Sequence, residues 1–367
     1  MTINRNRQQV SSSIVLVAIA FLASQLLLQL LPGIFGSWDA QMIDRLFRFR
    51  NAHDPLRPAY DETIVHVDLN NSAIQKLNNY YLNRSQYARV VRNLAAMGVS
   101  SQVYDIIFAS RINAEDDEAL IEATGEAGNV YYGIAFSLSR DAFSTSGKTA
   151  ENKNVHEYLA RTKWPLEVSG DSSGLYSGTN PLPTFIPLAS ASKGLGFLNI
   201  KPDADGVFRR VPLLVKYEDG CYPSLTLRVI CDYLGVRPEQ IAVTPGKNII
   251  LKDARRPGGT THDMVIPVDA EGNMPVNFIG PWEHMTHYSF ADIYQASDAQ
   301  DTMETWTDEL NGKIVLISDV STGSSDQGPV PTDLNFPLSG FHANAMHTIL
   351  SETFLQEASQ TTMTAIE

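Results

Sequence analysis

Ile64-Val-His-Val-Asp-Leu69 and Gln102-Val-Tyr-Asp-Ile-Ile-Phe108, with a helical stretch between them at residues 85–97, decide the fold of this chain. Both outer pieces are short, β-branched and nearly continuous in apolar residues, the pattern of strands covered on two faces. Between them, Val90, Val91, Leu94 and Met97 fall on one helical face, and Gly98 stops the helix. Strand, helix and strand in that order give a parallel pair with a right-handed crossover. Asn70 or Asn71 caps a short helix running to Leu77. The alternation continues with a helix at 116–127 and a strand at 129–136. Much later, Ile314-Val-Leu-Ile-Ser318 reads as another buried strand, and residues 340–354 as a final helix.

The stretch between these parts is less regular. Residues 137–192 lose periodicity and are rich in Ser, Thr, Gly, Asn and Pro. They read as one long loop, either covering the sheet or a tolerated insertion. Residues 196–200 and 208–217 flank Lys201-Pro-Asp-Ala-Asp-Gly206 and read as a hairpin. A helix at 223–234, strands at 248–252 and 263–268, and a turn at Asp269-Ala-Glu-Gly-Asn273 before a strand at 274–279 follow. The expected fold class is α/β, a mixed and largely parallel sheet flanked by helices, with a hairpin-rich insertion and one N-terminal transmembrane helix.

That transmembrane helix is read from the uncharged run between Ile14 and Leu31. A bilayer core takes about 20 apolar residues at the helical rise, and the run reaches this length as residues 14–34. Its polar members Ser24, Gln25 and Gln29 are tolerable in a helix that satisfies its own backbone. The alternatives are a cleaved signal peptide and a buried core helix. Against the signal peptide, the run exceeds a usual h-region and no Ala-x-Ala site follows it. Arg5 and Arg7 favour a cytoplasmic N-terminus. Arg45, Arg48 and Arg50 outnumber them on the other flank, interleaved with Asp39 and Asp44. Residues 38–51 continue as an amphipathic helix, with Met42, Ile43, Leu46, Phe47 and Phe49 apolar.

With 367 residues and 43% hydrophobic content, the chain can bury a sizeable core. Its formal net charge of −13 argues against general binding to nucleic acid and against lying flat on an anionic leaflet. Cys221 is placed in a turn and Cys231 on the helix after it, too far apart along that helix for a disulfide, so both read as free thiols.

Only fragments of catalytic motifs occur in the sequence. Gly147-Lys-Thr149 lacks the earlier glycine of a phosphate loop, and Gly194-Leu-Gly196 lacks the third glycine of a dinucleotide site. Gly170-Asp-Ser-Ser-Gly174 has the letters of a nucleophile elbow but sits in the patternless stretch. His284 and His287, and His342 and His347, lack the glutamate of a zinc-binding helix motif and read as ordinary histidines. Asp203-Ala-Asp205-Gly206 opens like a calcium loop but runs into Arg209 and Arg210, so a turn held by aspartates is favoured. Carboxylates at strand ends are the stronger candidates, because ligands of open α/β sheets bind beyond the C-terminal strand ends. Asp68 lies near the end of one strand, Asp105 sits inside a second, and Asp319 and Asp326 lie after a third. Each can alternatively cap a helix or pair with an arginine such as Arg84 or Arg209. The ligand-binding candidates are Asp68, Arg84, Asp105, Asp205, Arg209 and Asp326. No catalytic residue, metal or cofactor is assigned.

The pieces in order resemble a known family. They are Asp44-Arg-Leu-Phe-Arg-Phe-Arg50, Ile64-Val-His-Val-Asp68, Asn83-Arg-Ser-Gln-Tyr-Ala88 and Val103-Tyr-Asp-Ile-Ile-Phe108. Pro202-Asp-Ala-Asp-Gly-Val-Phe-Arg-Arg-Val-Pro212, Met274-Pro-Val-Asn-Phe-Ile-Gly-Pro281, Gly312-Lys-Ile-Val-Leu-Ile-Ser318, Asp326, Pro331 and Gly340-Phe-His-Ala343 complete them. Together they resemble the type-two CHASE domain, a cyclase- and histidine-kinase-associated extracellular sensor. Two segments depart from the family pattern: Leu77-Asn-Asn-Tyr-Tyr-Leu-Asn83, and Ser318 where the family usually has glycine. The resemblance implies a non-catalytic input domain that controls a nucleotide cyclase or a protein kinase lying beyond this chain. It implies a cytoplasmic tail at 1–13, a membrane helix at 14–34, an extracytoplasmic sensor at 37–356 and a linker at 357–367. The implied setting is the inner membrane, with a small-molecule or protein signal and a homodimer. An anchored periplasmic hydrolase using Asp68, Asp105 and Asp326, or a binding scaffold, are the competing expectations.

Overall fold

The computed structural model describes residues 15–27, 30, 32–77, 82–139, 153–256, 258–323 and 326–356. A helix at Pro32–Ala52 (α1) leads in, and strand β1 follows at Ile64–Leu69. Helix α2 (Arg84–Ala96), strand β2 (Ser101–Tyr104), helix α3 (Ala114–Ala127) and strand β3 (Val130–Ser139) keep the alternation read from the sequence. Strand β4 (Gly194–Phe197), helix α4 (Leu225–Tyr233), strand β5 (His287–Ser289), strand β6 (Ile314–Asp319) and helix α5 (Leu338–Leu350) come later in the chain.

The six strands lie side by side in the order β5-β1-β6-β2-β3-β4, and every neighbouring pair is parallel. Strand β3 also pairs antiparallel with Ser177–Pro183, which extends the sheet through Leu214–Tyr217 to Gly220–Pro223 and makes it mixed, with nine strands. A separate sheet of four strands holds Glu167–Val168, Ile241–Thr244, Asn248–Arg255 and Thr261–Pro267.

Strand periodicity divides the side chains between two cores. Val65, Val67, Tyr104, Val315 and Ile317 pack with Leu94 of α2 and Leu120 of α3. Ile64, Val103, Ile314 and Leu316 belong to the other core, with Ile230 of α4 and Phe341 and Met346 of α5. Local signals fix the helix ends. The Asn70 side chain accepts from the amide of Ala73 at 2.9 Å, and Gly98 has φ +74°, which only a residue without Cβ adopts freely. A Cβ on Gly196 would lie 2.3 Å from the Leu225 Cα, so α4 can pack on β4 only because that position is glycine.

Four sequence expectations are corrected. The strand expected over 102–108 ends at Tyr104, because the following segment turns to bond outside β2: Ile106 accepts from Gly133 and Phe108 from Phe185. The presumed loop at 137–192 contains helices at Lys153–Thr162 and Ile186–Ala191 and the strand Ser177–Pro183; residues 140–152 lie outside the described residues. Val155, Tyr158 and Leu159 are buried at helical spacing, a signal too short to stand out from its Ser- and Gly-rich surroundings. The expected hairpin around Asp205-Gly206 keeps its turn but not its pairing, since β4 pairs with β3 while Arg210–Pro212 pairs with Asn273–Pro275. Cys221 lies in the strand Gly220–Pro223, not in a turn; both cysteines are free thiols.

The expected membrane span at 14–34 falls partly on residues 14, 28, 29 and 31, which lie outside the described residues, as do 1–13 and 357–367. Residues 15–27 are helical, and their large apolar side chains are exposed. Among the described residues, no helix is long and apolar enough to cross a membrane.

Candidate functional site at the strand ends

The parallel strands end in a polar row. Asp68 of β1 stands in register with Ser289 of β5 on one side and with Ser318 of β6 on the other. One strand further, Asp105 follows directly on β2 and donates its amide to the Ile317 carbonyl at 3.0 Å. By strand alternation these side chains share the face covered by α5. Asp105, Ser318, Asp319, Asp326 and Ser339 line a cavity of about 110 Å³ at this edge, closed by the first turn of α5. The Asp68 Oδ1, Ser318 Oγ and Ser339 Oγ atoms are buried without a hydrogen-bond partner in the protein. Each such atom costs about 1–3 kcal/mol, an expense that folds concentrate at functional places.

Charge accumulates here. Burial pushes the Asp105 carboxyl up to about 7. Asp326 is raised by burial and then by the negative charge of Asp105. Burial lowers His342 to about 4, against the pull of Asp326. Two raised carboxyls beside two unpaired hydroxyls suit a small ligand that is cationic or donates hydrogen bonds.

Next to the cavity lies a second group. His66 and Asp68 are two apart on β1 and share its face, and His287 is the register partner of His66 on β5. The His287 Nδ1 lies 2.8 Å from the Asp68 Oδ2, and its Nε2 donates to the Trp282 carbonyl at 2.8 Å. His66 stacks on His287 with ring centres 4.8 Å apart, and its Nε2 lies 3.3 Å from the Tyr60 hydroxyl. Burial and the neighbouring His287 hold the His66 ring well below its ordinary titration range.

Of the six predicted site residues, Asp105 and Asp326 line the cavity, and Asp68 borders it while pairing with His287. The other three are elsewhere. Arg84 is buried in an ion pair with Asp117, donates to the Ser110 carbonyl and lies over the Phe108 and Phe185 rings. Its place on the α2–α3 side of the sheet explains why it does not reach the cavity. Arg209 donates to both oxygens of Asp44 at 2.8 and 2.7 Å and to both oxygens of Asp205 at 2.9 and 2.8 Å, with Asp203 at 3.0 Å. Those carboxylates are therefore committed to a guanidinium, in keeping with the aspartate turn favoured over a calcium loop. The set Asp68, Asp105 and Asp326 required of a hydrolase does not converge: among the described residues, the one group of three spaced to hold a metal ion is His66, Asp68 and His287.

The Arg209 cluster ties α1 to the domain, and a second tie lies three to six residues on. Phe47 meets the Phe278 ring edge-on at 6.0 Å, and Arg50 donates to the Asn277 Oδ1 at 2.8 Å. Asn277 donates in turn to the Thr353 carbonyl at 3.1 Å, beyond the end of α5. Within α5, Thr348 and Asn344 accept from the amides of Asn277 and Ile279 at 3.0 Å each. The helix has 13 residues, about 20 Å at the helical rise. It starts at the cavity and ends at the junction with α1.

Sequence reasoning missed His66, His287, Ser318 and Ser339 as site residues. Of these, His66 carried a signal in its spacing of two from Asp68 on an evident strand, and Ser318 in standing where the family usually has glycine. His287 becomes the neighbour of His66 only through a parallel pairing across more than two hundred residues.

A comparison with protein families matches residues 14–367 to the CHASE2 domain. No curated protein and no solved structure gives a significant match.

Proposed function

The chain belongs to the CHASE2 domain family, a family of extracellular sensory domains in signalling proteins, and on that premise we propose that it is the extracytoplasmic input domain of a membrane-anchored receptor. The uncharged run at 14–34 is the anchor, and an output module, a nucleotide cyclase or a protein kinase, lies beyond this chain. The ligand enters the polar cavity at the strand ends. The observation that carries this reading is α5, with Ser339 at the cavity and Thr353 bonded through Asn277 to Arg50 of α1. A ligand that prefers one setting of α5 shifts the population of that setting, and the shift reaches α1 through Asn277.

The active unit is a homodimer. The inner face of α1 is occupied by Asp44, Phe47 and Arg50, while Met42, Leu46 and Phe49 point outward with more than half of their surface exposed. Two copies anchored in one membrane present these stripes in parallel, and a two-fold pairing buries them.

The test uses the protein with its native output module attached. Ser339→Trp overfills the cavity, and the expected result is an output fixed at one level whatever the stimulus. An output unchanged by deletion of residues 61–333 contradicts the reading.

A further inference from the structure

We propose that His66, Asp68 and His287 form a binding site for one divalent transition-metal ion of the zinc class. One ligand atom from each residue lies within 4.8 Å of the other two. The positions are set by the sheet itself: His66 and Asp68 project from one face of β1, and His287 sits beside His66 on β5. Two imidazoles and one carboxylate favour zinc, nickel, copper or iron over calcium and magnesium, which take oxygen ligands.

An ordinary ion pair between Asp68 and His287 leaves half of the cluster unexplained. It uses the Asp68 Oδ2 and the His287 Nδ1, while the Asp68 Oδ1 and the His66 Nδ1 stay buried without partners. His66 is fully buried and Asp68 is 6% exposed, so water does not serve these atoms freely. The outer nitrogens are already engaged as in a metal site. His287 gives its Nε2–H to the Trp282 carbonyl, and the His66 Nε2 faces the Tyr60 hydroxyl. Partners of this kind fix the tautomer and leave Nδ1 as the ligand atom. The His287 Nδ1 and the Asp68 Oδ2 then direct lone pairs at each other across 2.8 Å. Uptake of the ion between them releases any proton they share to solvent.

Ligands of a tetrahedral ion at about 2.1 Å stand about 3.4 Å apart, so the cluster closes by small ring rotations. The His287 side chain, 21% exposed, is the way in. Three protein ligands leave a coordination position open for water or an outside donor. The inference stands without the sensory reading, and either can fail alone.

Cobalt(II) is the probe, added to the full chain after chelator treatment. The expected result is one ion per chain with visible d–d bands, and quenching of tryptophan fluorescence, since the Trp282 ring lies 4.7 and 4.3 Å from the His66 and His287 rings. Asp68→Asn and His287→Gln each weaken binding by more than about 100-fold, and Tyr60→Phe by about 10-fold. X-ray absorption on the zinc-loaded wild-type chain counts the imidazoles directly and needs no variant. Failure of cobalt, zinc and nickel to bind overturns the proposal, as does binding unaffected by the substitutions, or a zinc shell with fewer than two imidazoles.

Discussion

Arg209→Ala lowers the stability of the domain by about 3–5 kcal/mol, the usual cost of removing one partner from a buried charge cluster. Arg209 and Asp44 are each 8% exposed at the side chain, so solvent does not take over when the guanidinium is gone. Asp44, Asp203 and Asp205 are then left facing one another, offset by the turn amides and by Arg210, 3.8 Å from Asp203. The loss is also positional, because Arg209 is where α1 is held by both oxygens of Asp44. Urea unfolding of the wild-type chain, Arg209→Ala, Asp44→Ala and the double variant measures the coupling. A coupling well above 1 kcal/mol that persists in high salt is expected, since exposed pairs reach only about that value and are screened. A loss below 1 kcal/mol in Arg209→Ala contradicts the assignment.

Asp105→Asn acts in the opposite direction. The folded protein holds Asp105 at about 7 through burial, against an ordinary value of 3.8. A carboxyl raised on folding makes the native state bind more protons than the unfolded chain. Its stability is therefore fullest below 3.8 and falls as pH rises toward 7. At 1.36 kcal/mol per unit, the loss approaches about 4 kcal/mol above pH 7. Asparagine has no charge to bury, so the variant gains up to that amount at pH 8, changes little at pH 4, and also relieves Asp326 of its neighbour. Denaturation midpoints across this range check it. Curves that stay parallel for the two proteins refute the buried carboxyl. A protein that keeps such a residue against its own stability uses it for something else, which is why the strand-end cavity is favoured as the ligand site.

Much of this architecture was legible where local and tertiary demands agree. The β-branched run at Ile64–Leu69 and the face of Val90, Val91 and Leu94 admit little other than a buried strand and the helix packed on it. The resemblance carried by the ordered motifs agrees with the family match over residues 14–367. The site was legible only in part. Asp105 and Asp326 could be found because strand ends are where ligands bind. Arg84 and Arg209 looked alike as buried-pair candidates and cavity candidates, and only the packing of α3 and α1 against them decided the matter. Ser318 stood out as a departure from the family's glycine, and it does line the cavity. His287 was set aside because no glutamate completes a zinc-binding helix motif with His284; its partner His66 is fixed by strand order, which one sequence does not display.

The central claim is that the α/β body lies on the far side of the membrane from the N-terminus. Leu334 is 76% exposed and suits a cysteine label; in a Cys221→Ser background, the remaining Cys231 is buried and silent. Leu334→Cys is treated with a membrane-impermeant maleimide on intact spheroplasts and again after permeabilisation. The account predicts full labelling before the membrane is opened, and labelling seen only afterwards contradicts it.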